Sequence, residues 1–253
     1  MSQKIALITG ATAGIGLETA RLLSAHNYKL ILTGRRLERL EQIKSELEND
    51  QCRIHLLNFD IQSKEAVEQS LDNLPEEWKA IDILVNNAGL AAGLDPVAEA
   101  SIDDWEAMID TNVKGLLYVT RKIAQWMKQR HQGHILSLSS IAGKEPYPNG
   151  SVYCATKHAV MAISKAMRIE LVPFNIKVST ICPGAVETEF SMVRFKGDTE
   201  QADKVYKGFT PLSSKDIAET IYFILSRPAH VNIDDLVIMP TAQASARDFY
   251  KKS

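Results

Sequence analysis

The fold this 253-residue sequence predicts is a single doubly wound α/β domain, a parallel sheet of seven strands with helices on both faces. Three observations lead there. Short apolar runs alternate with amphipathic helical stretches along the whole chain. A glycine-rich turn joins the first run to the first helix, and no linker, repeat or low-complexity segment divides 1–253. Strands alternating with helices at this rhythm need right-handed crossovers, which make the sheet parallel and cover both its faces.

The first strand is Lys4–Thr9 (KIALIT), followed by a helix over Gly14–His26. Lys29–Thr33 is the second strand, and Leu37–Asn49 a helix with charges on one face. Arg53–Asn58, Ile81–Asn86, His134–Leu138, Lys177–Cys182 and Leu236–Met239 read as the remaining strands. Helical periodicity covers Ser63–Leu74, Ile102–Arg130, Ser151–Leu171 and Ser214–Ser226. The rhythm breaks at Glu189–Leu212, a polar stretch with two glycines and a proline directly after a strand. A long irregular segment at such a place is expected to be a substrate lid.

Composition narrows the class. With 45% hydrophobic and 24% charged residues the chain can bury a sizeable core, and a net charge of −2 offers nothing to nucleic acid or an anionic membrane. No apolar run approaches the ~20 residues of a membrane span. MSQKIALITG enters a strand pattern directly, so no signal segment is expected. Cys52, Cys154 and Cys182 are odd in number and far apart, which suits reduced thiols in a cytoplasm. His131 and His134 flank a Gln-Gly turn and read as a surface loop; no metal is expected.

The glycine turn, Thr9-Gly10-Ala11-Thr12-Ala13-Gly14-Ile15-Gly16, closes the first strand and opens the first helix. It supplies a tight turn, close backbone approach and free N–H groups at a helix N-terminus, which together suit a pyrophosphate. At the end of the second strand an acidic residue would bind a ribose 2′-hydroxyl. Here stand Arg35 and Arg36 with no neighbouring carboxylate in sequence, which favours the 2′-phosphate of NADP.

One stretch carries reaction chemistry. Ser140 precedes Tyr153 by thirteen residues, and Lys157 follows at i+4, so the phenol and the ammonium share one helix face. A phenol titrates near ~10, and a neighbouring cation favours its ionised form. Tyr118 and Lys122 repeat the spacing, but Trp105 stands where the serine would be, so that pair reads as helix surface.

In these residues the chain resembles the short-chain dehydrogenase/reductase family, essentially end to end. The resemblance rests on the glycine loop at 9–16, Asp60, Asn86-Asn87-Ala88-Gly89, Asn112, Ser140, Tyr153, Lys157, Pro183-Gly184 and Thr188. The stretches PEEWKAIDILVNNAGLAAGLDP, DWEAMIDTNVKGLLYVTR, EFSMVRFKGD and RPAHVNI further resemble microbial NADP-dependent 3-hydroxy acid dehydrogenases. Cys154 stands where a glycine or another small residue is expected, and is small enough to leave the mechanism undisturbed.

The resemblance implies a Rossmann-type fold and hydride exchange between NADP and a small 3-hydroxy acid of the serine, allo-threonine or 3-hydroxypropionate type, or its oxo acid. It implies that Ser140 holds the reacting oxygen, Tyr153 moves the proton, and Lys157 lowers the tyrosine pKa and binds the nicotinamide ribose. Asn112 would maintain a water-linked proton path. The implied cofactor set is Gly10, Thr12, Gly14, Ile15, Gly16, Arg35, Arg36, Asp60, Ile61, Asn86, Ala88, Gly89, Tyr153, Lys157, Pro183, Gly184, Val186 and Thr188. It also implies a homotetramer through a four-helix contact, for which Leu116, Leu117, Met161, Ile163 and Met167 are the apolar candidates.

Within the lid, Arg194 is the candidate clamp for a substrate carboxylate, with Lys196 as second candidate and ion pairing of Arg194 with Glu189 or Asp198 as the plain reading. Two rival functions stay open. One is a carbonyl reductase for neutral ketones or sugars, and the other a non-catalytic NADP-binding redox sensor.

Overall fold

In the computed structural model, which describes residues 3–251, seven short strands form one parallel sheet. They are β1 (Ile5–Ile8), β2 (Lys29–Gly34), β3 (Ile54–Asn58), β4 (Ile83–Asn86), β5 (Gly133–Leu138), β6 (Ile176–Pro183) and, last in the chain, β9 (Asp235–Ile238). The order across the sheet is β3-β2-β1-β4-β5-β6-β9. The chain winds outward from β1 to β3, then returns to place β4 on the other side of β1. The crevice at that reversal, above the carboxyl ends of the strands, is where such sheets take their ligands.

Alternation within the strands builds two cores. Ala6 and Ile8 of β1, with Leu30, Leu32, Val85 and Leu136, pack on one face. Against them lie helices α1 (Gly14–Ala25), α2 (Leu37–Leu47) and α10 (Ser214–Leu225), through Leu23, Leu40 and Ile221. Ile5, Leu7, Ile31, Leu84, Ile135 and Val178 face the other way. There α3 (Lys64–Asp72), α6 (Leu116–Arg130) and the end of α7 (Ser151–Leu171) cover them with Val67, Leu71, Val119, Ile123, Met127 and Leu171. Side chains of this size contribute ~1.5–3 kcal/mol each when fully buried.

The expected strands and most expected helices form within a residue or two of their predicted ends. The long helix expected over Ile102–Arg130 does not run straight. It comprises α5 (Ile102–Ile109), a π-helical segment Asp110–Gly115, and α6. Glu189–Leu212 is not an irregular loop: it contains α8 (Phe190–Arg194) and α9 (Thr199–Tyr206), the latter capped by Asp198, whose carboxylate accepts from Gln201 N at 3.0 Å. Its two ends are tied by a small parallel pair, β7 (Val186–Glu187) with β8 (Leu212–Ser213). A further short helix, α4 (Glu76–Lys79), precedes β4.

His134 corrects another expectation. It is a buried β5 residue, 4% exposed, whose Nε2 is 2.8 Å from Ser179 Oγ, and burial drives its pKa down to about 3. Cys52, Cys154 and Cys182 are all buried free thiols. Among the described residues no helix is long and apolar enough to cross a membrane, and no group of three ligand-type side chains could hold a metal ion.

Candidate active site

The glycine turn is built by its own backbone. Gly10 and Gly14 have φ of +66° and +55°, values that side chains disfavour. Gly16 is needed for space: a Cβ there would stand 2.4 Å from Gly10 O. Gly16 therefore supports the turn and does not line the cleft. Ala13 precedes α1 without a side-chain cap, and no acidic residue occupies the first turn, so the helix N-terminus has no anion of its own.

Above this turn opens a cleft of about 670 Å³, within the range of cofactor sites. Gly10, Thr12, Gly14 and Ile15 line it from below, and Asp60 and Ile61 from the end of β3. Ala88 and Gly89 after β4, and Pro183, Gly184, Val186 and Thr188 after β6, complete the far wall.

Arg35 and Arg36 stand at the rim, and each has found a carboxylate, contrary to the reading of the local sequence. Arg35 lies 3.6 Å from Asp60, and Arg36 lies 3.1 Å from Glu189, 153 positions away. Arg36 also donates from Nε and Nη2 to Thr12 Oγ1, at 3.2 and 2.9 Å, which joins the arginine to the glycine turn. Exposed pairs of this kind contribute ~0–1 kcal/mol, less than a bidentate arginine–phosphate contact. The glycine turn, the open helix N-terminus and the two rim arginines fit a phosphorylated dinucleotide.

Asn86 does not touch this cleft. It ends β4 facing the opposite side, where Nδ2 donates to Thr120 Oγ1 at 2.8 Å. Its neighbour Asn87 lines the cleft instead. Asn87 Nδ2 donates to Thr9 O (2.8 Å) and Gly10 O (3.0 Å), while Asn87 N and Ala88 N both donate to Thr9 Oγ1 at 3.0 Å. Strand β4 is thereby bonded to the glycine turn.

The reaction end is carried by β5 and α7. Ser140 leaves β5 and caps a short 3₁₀ turn, Ile141–Gly143, its Oγ accepting from Ala142 N at 3.1 Å. Tyr153 and Lys157 are one turn apart on α7 and 8% and 6% exposed. Lys157 Nζ donates to Leu138 O at 3.0 Å and sits 5.8 Å from the Tyr153 ring centroid. Burial lowers the Lys157 pKa to about 8. Burial also pushes the Tyr153 phenol well above its ordinary value, while hydrogen bonding to Ser140 and the charge of Arg194 oppose that rise. Arg194, which the sequence did not place beside the phenol, is thus a cation that favours its ionised form.

Asn112 lies in the π segment, where an extra residue widens the turn, a feature frequent at functional sites. Its Oδ1 accepts from Leu90 N at 2.8 Å, and Nδ2 donates to Leu90 O and Thr156 Oγ1 at 2.8 and 3.0 Å. The side chain braces the wall behind Gly89, and it lies outside the lining of the cleft. A Cβ on Gly89 would stand 3.1 Å from Asn112 Oδ1 and 3.4 Å from Lys157 Nζ, so both groups converge behind that glycine.

The lid brings Arg194 over the reaction end. Its guanidinium carbon is 5.5 Å from the Tyr153 ring centroid and 5.6 Å from that of Tyr147. Nε donates to Gly93 O (3.3 Å), Nη2 to Tyr147 Oη (3.0 Å), and Gly93 N returns a bond to Arg194 O at 3.0 Å. No carboxylate among the described residues pairs with Arg194: Glu189 is taken by Arg36 and Asp198 by its own helix. Lys196 turns away through a left-handed backbone (φ +52°) and pairs with Asp104 at 2.9 Å.

Tyr147, Phe190 and Gln243 also line the cleft, and none was singled out from the sequence. Tyr147 stands between Ser140 and Tyr153, in the stretch that carries the reaction chemistry. Gln243 gave no signal, because its role appears only on folding: Oε1 accepts from Ala185 N at 2.8 Å, 58 residues away. Tyr118 and Lys122, expected as a helix surface pair, lie on α6 outside the lining of the cleft, Tyr118 half-buried against the core and Lys122 bonding to Asp72.

A glycine-turn crevice with a serine, a tyrosine and a lysine converging at its inner end defines a nucleotide-linked oxidoreductase of the short-chain type. The chain belongs to the short chain dehydrogenase family, which it matches over residues 4–199. It is 46% identical over 243 residues to the NADP-dependent 3-hydroxy acid dehydrogenase YdfG of Salmonella typhi, covering 96% of this chain and 97% of that one. The NADP-dependent 3-hydroxy acid dehydrogenase of Schizosaccharomyces pombe is 43% identical over 251 residues, covering 98% and 97%. Among solved structures, the closed form of serine dehydrogenase complexed with NADP+ superposes with a TM-score of 0.91 at 46% identity, covering 98% of this chain and 100% of that one.

Proposed function

We propose that this chain uses NADP to interconvert a small 3-hydroxy acid, of the serine, allo-threonine or 3-hydroxypropionate type, and its oxo acid. One observation carries the acid specificity: Arg194 reaches the reaction end of the cleft with no carboxylate partner among the described residues. A neutral substrate has no use for such a cation, and a carboxylate takes it in paired, charge-assisted hydrogen bonds.

NADP, when bound, supplies or accepts the hydride. Thr12, Arg35 and Arg36 would hold its phosphates, and the wall formed by Ala88, Gly89, Pro183, Gly184 and Thr188 would hold the remainder. Ser140 Oγ presents a hydrogen to the substrate oxygen, and Tyr153 gives a proton to that oxygen in reduction or takes it in oxidation. Burial keeps the phenol protonated near neutrality, which suits it to donate. Lys157 and Asn112 support the reaction end from behind Gly89, and the lid carrying Phe190 and Arg194 excludes water when docked on Gly93.

The protein works as a cytoplasmic homotetramer in this reading. Of the expected apolar candidates, Leu116 and Met161 are buried within the fold and unavailable to a partner. Exposed apolar side chains near α6 and α7 are Ile109 and Leu117 on one side, and Ile169 on α7 with Val172 just beyond its end, each at least 40% exposed. Light scattering giving a monomer mass at micromolar protein would refute the assembly.

The function is tested with an NADP-coupled panel of serine, allo-threonine, 3-hydroxyisobutyrate, 3-hydroxypropionate and neutral alcohols. The acids should give specificity constants at least tenfold above the neutral alcohols. Equal turnover of both sets would return the neutral carbonyl reductase reading, and no turnover of any would return the redox sensor.

A further inference from the structure

Tyr147 occupies a position that its neighbours have shaped for it. The segment Tyr147-Pro148-Asn149-Gly150 turns sharply before α7, with Gly150 N bonded to Tyr147 O at 3.3 Å and Asn149 in the left-handed region at φ +64°. The tyrosine ring then folds back over Gly150. A Cβ on that residue would stand 2.1 Å from Tyr147 Cε2, so the ring lies where it does because residue 150 has no side chain. This places the Tyr147 phenol in the same cleft as Tyr153 and Arg194, with the guanidinium carbon within 5.6 Å of both ring centroids.

The hydrogen bonding of this group is incomplete in a specific way. Tyr147 Oη accepts from Arg194 Nη2 at 3.0 Å, and no acceptor for its own hydrogen is present among the described residues. Burial holds the phenol in its neutral, donating form. Arg194 Nη1 likewise has no partner among those residues. Two donors, one charged and one neutral, are thus left unsatisfied side by side in the same cleft. A carboxylate has two oxygens to offer such a pair, whereas a neutral hydroxyl has one.

We propose that Tyr147 is a second substrate anchor, its hydroxyl donating to the carboxylate oxygen that Arg194 does not fully satisfy, so that the pair selects acids over neutral alcohols. This rests on the reading of Arg194 as the carboxylate clamp. It adds that the arginine alone is insufficient and that Gly150 is a specificity residue acting through the tyrosine ring.

The test compares Tyr147→Phe, Gly150→Ala and Arg194→Met with the parent enzyme. Each is assayed on 3-hydroxypropionate and on 1,3-propanediol, which replaces the carboxylate by a neutral hydroxymethyl group. Malonate binding to each protein is measured by calorimetry as a readout independent of turnover. Tyr147→Phe should raise KM for the acid and the malonate dissociation constant by about tenfold, with kcat and the diol nearly unchanged, as for loss of one hydrogen bond to a charged group. Gly150→Ala, whose backbone conformation alanine accepts (φ −108°), should displace the ring and reproduce this pattern. An unchanged acid-to-diol ratio and malonate affinity in Tyr147→Phe, with Arg194→Met lowering both, would overturn the role of Tyr147 and leave the clamp standing. If Arg194→Met also leaves the ratio unchanged, the clamp falls and this inference with it. Equal losses on acid and diol in Tyr147→Phe, with malonate affinity intact, would show a packing role only and likewise overturn it.

Discussion

Replacing Arg194 by methionine should move the pH dependence of oxidation, even for a substrate without a carboxylate. The perturbation removes a positive charge that lies 5.5 Å from the centre of the Tyr153 ring and opposes the effect of burial on that phenol. At this separation, two unit charges interact by ~3 kcal/mol at an effective dielectric of ~20 and by under ~1 kcal/mol in water. Those limits correspond to roughly two pH units and half a unit. Arg194 is only half-buried, so a displacement of about one unit is expected. The sign follows from the charge. A cation favours phenolate, so its loss raises the tyrosine pKa, and the active basic form needs a higher pH. The assay is kcat/KM for NADP-linked oxidation of a neutral alcohol, from neutral to strongly alkaline pH, in parent and Arg194→Met enzymes. The neutral substrate keeps carboxylate binding out of the comparison. An alkaline limb that stays in place, or moves to lower pH, would refute the assignment of Arg194 as a cation acting on Tyr153.

Four further outcomes are expected. Tyr153→Phe should lower turnover by ~10²–10⁴ with dinucleotide binding little changed, while Tyr118→Phe has almost no effect, both read by steady-state kinetics and cofactor fluorescence. Neutralising Arg35 and Arg36 together should raise KM for NADP far more than for NAD; equal losses would show that the arginines serve α2 and the lid. Asn87→Ala removes two bonds to the glycine turn and should cost ~1–3 kcal/mol in urea unfolding while weakening dinucleotide binding. For His134 the folded pKa is about 3, below its unfolded value of about 6.5. The unfolded chain therefore takes up a proton first as pH falls, and stability is lost through that window, by roughly 2 kcal/mol between about pH 7 and pH 5. His134→Gln should flatten that part of the pH–stability curve.

The sheet was legible because each strand is a short apolar run whose alternate residues feed two different cores, and each helix carries one apolar stripe. Ser140, Tyr153 and Lys157 were legible because their spacing is local to one strand end and one helix. Harder cases involved residues of the same type or distant partners. Asn86 and Asn87 are indistinguishable as letters, yet the pleat sends the first to Thr120 and leaves the second at the glycine turn. Arg36 meets Glu189 across 153 positions, a pairing no local pattern encodes. Lys196 stood as the second candidate beside Arg194, and no local pattern showed that the left-handed backbone there sends its ammonium to Asp104. The lid helices are short and polar, and their caps give weaker signals than an apolar stripe.

The π segment between α5 and α6 has a consequence for which alterations the chain can accept. An α-helix advances about 100° per residue, so one surplus residue at Asp110–Gly115 offsets the angular phase of everything beyond it. Upstream, that phase sets Met108 against the layer beside Tyr153; downstream, it sets Val119, Ile123 and Met127 against the sheet. Asn112 sits on the widened turn between them, held to Leu90 on both sides of its amide. Deleting any one residue of 110–115 would restore regular helical winding and set two demands in conflict. Either Asn112 keeps Leu90 and α6 rotates its apolar stripe away from the sheet, or α6 keeps its stripe and the amide leaves Leu90. A substitution along α6 disturbs one side chain at a time, whereas a change in the count of residues across this turn displaces the whole stripe.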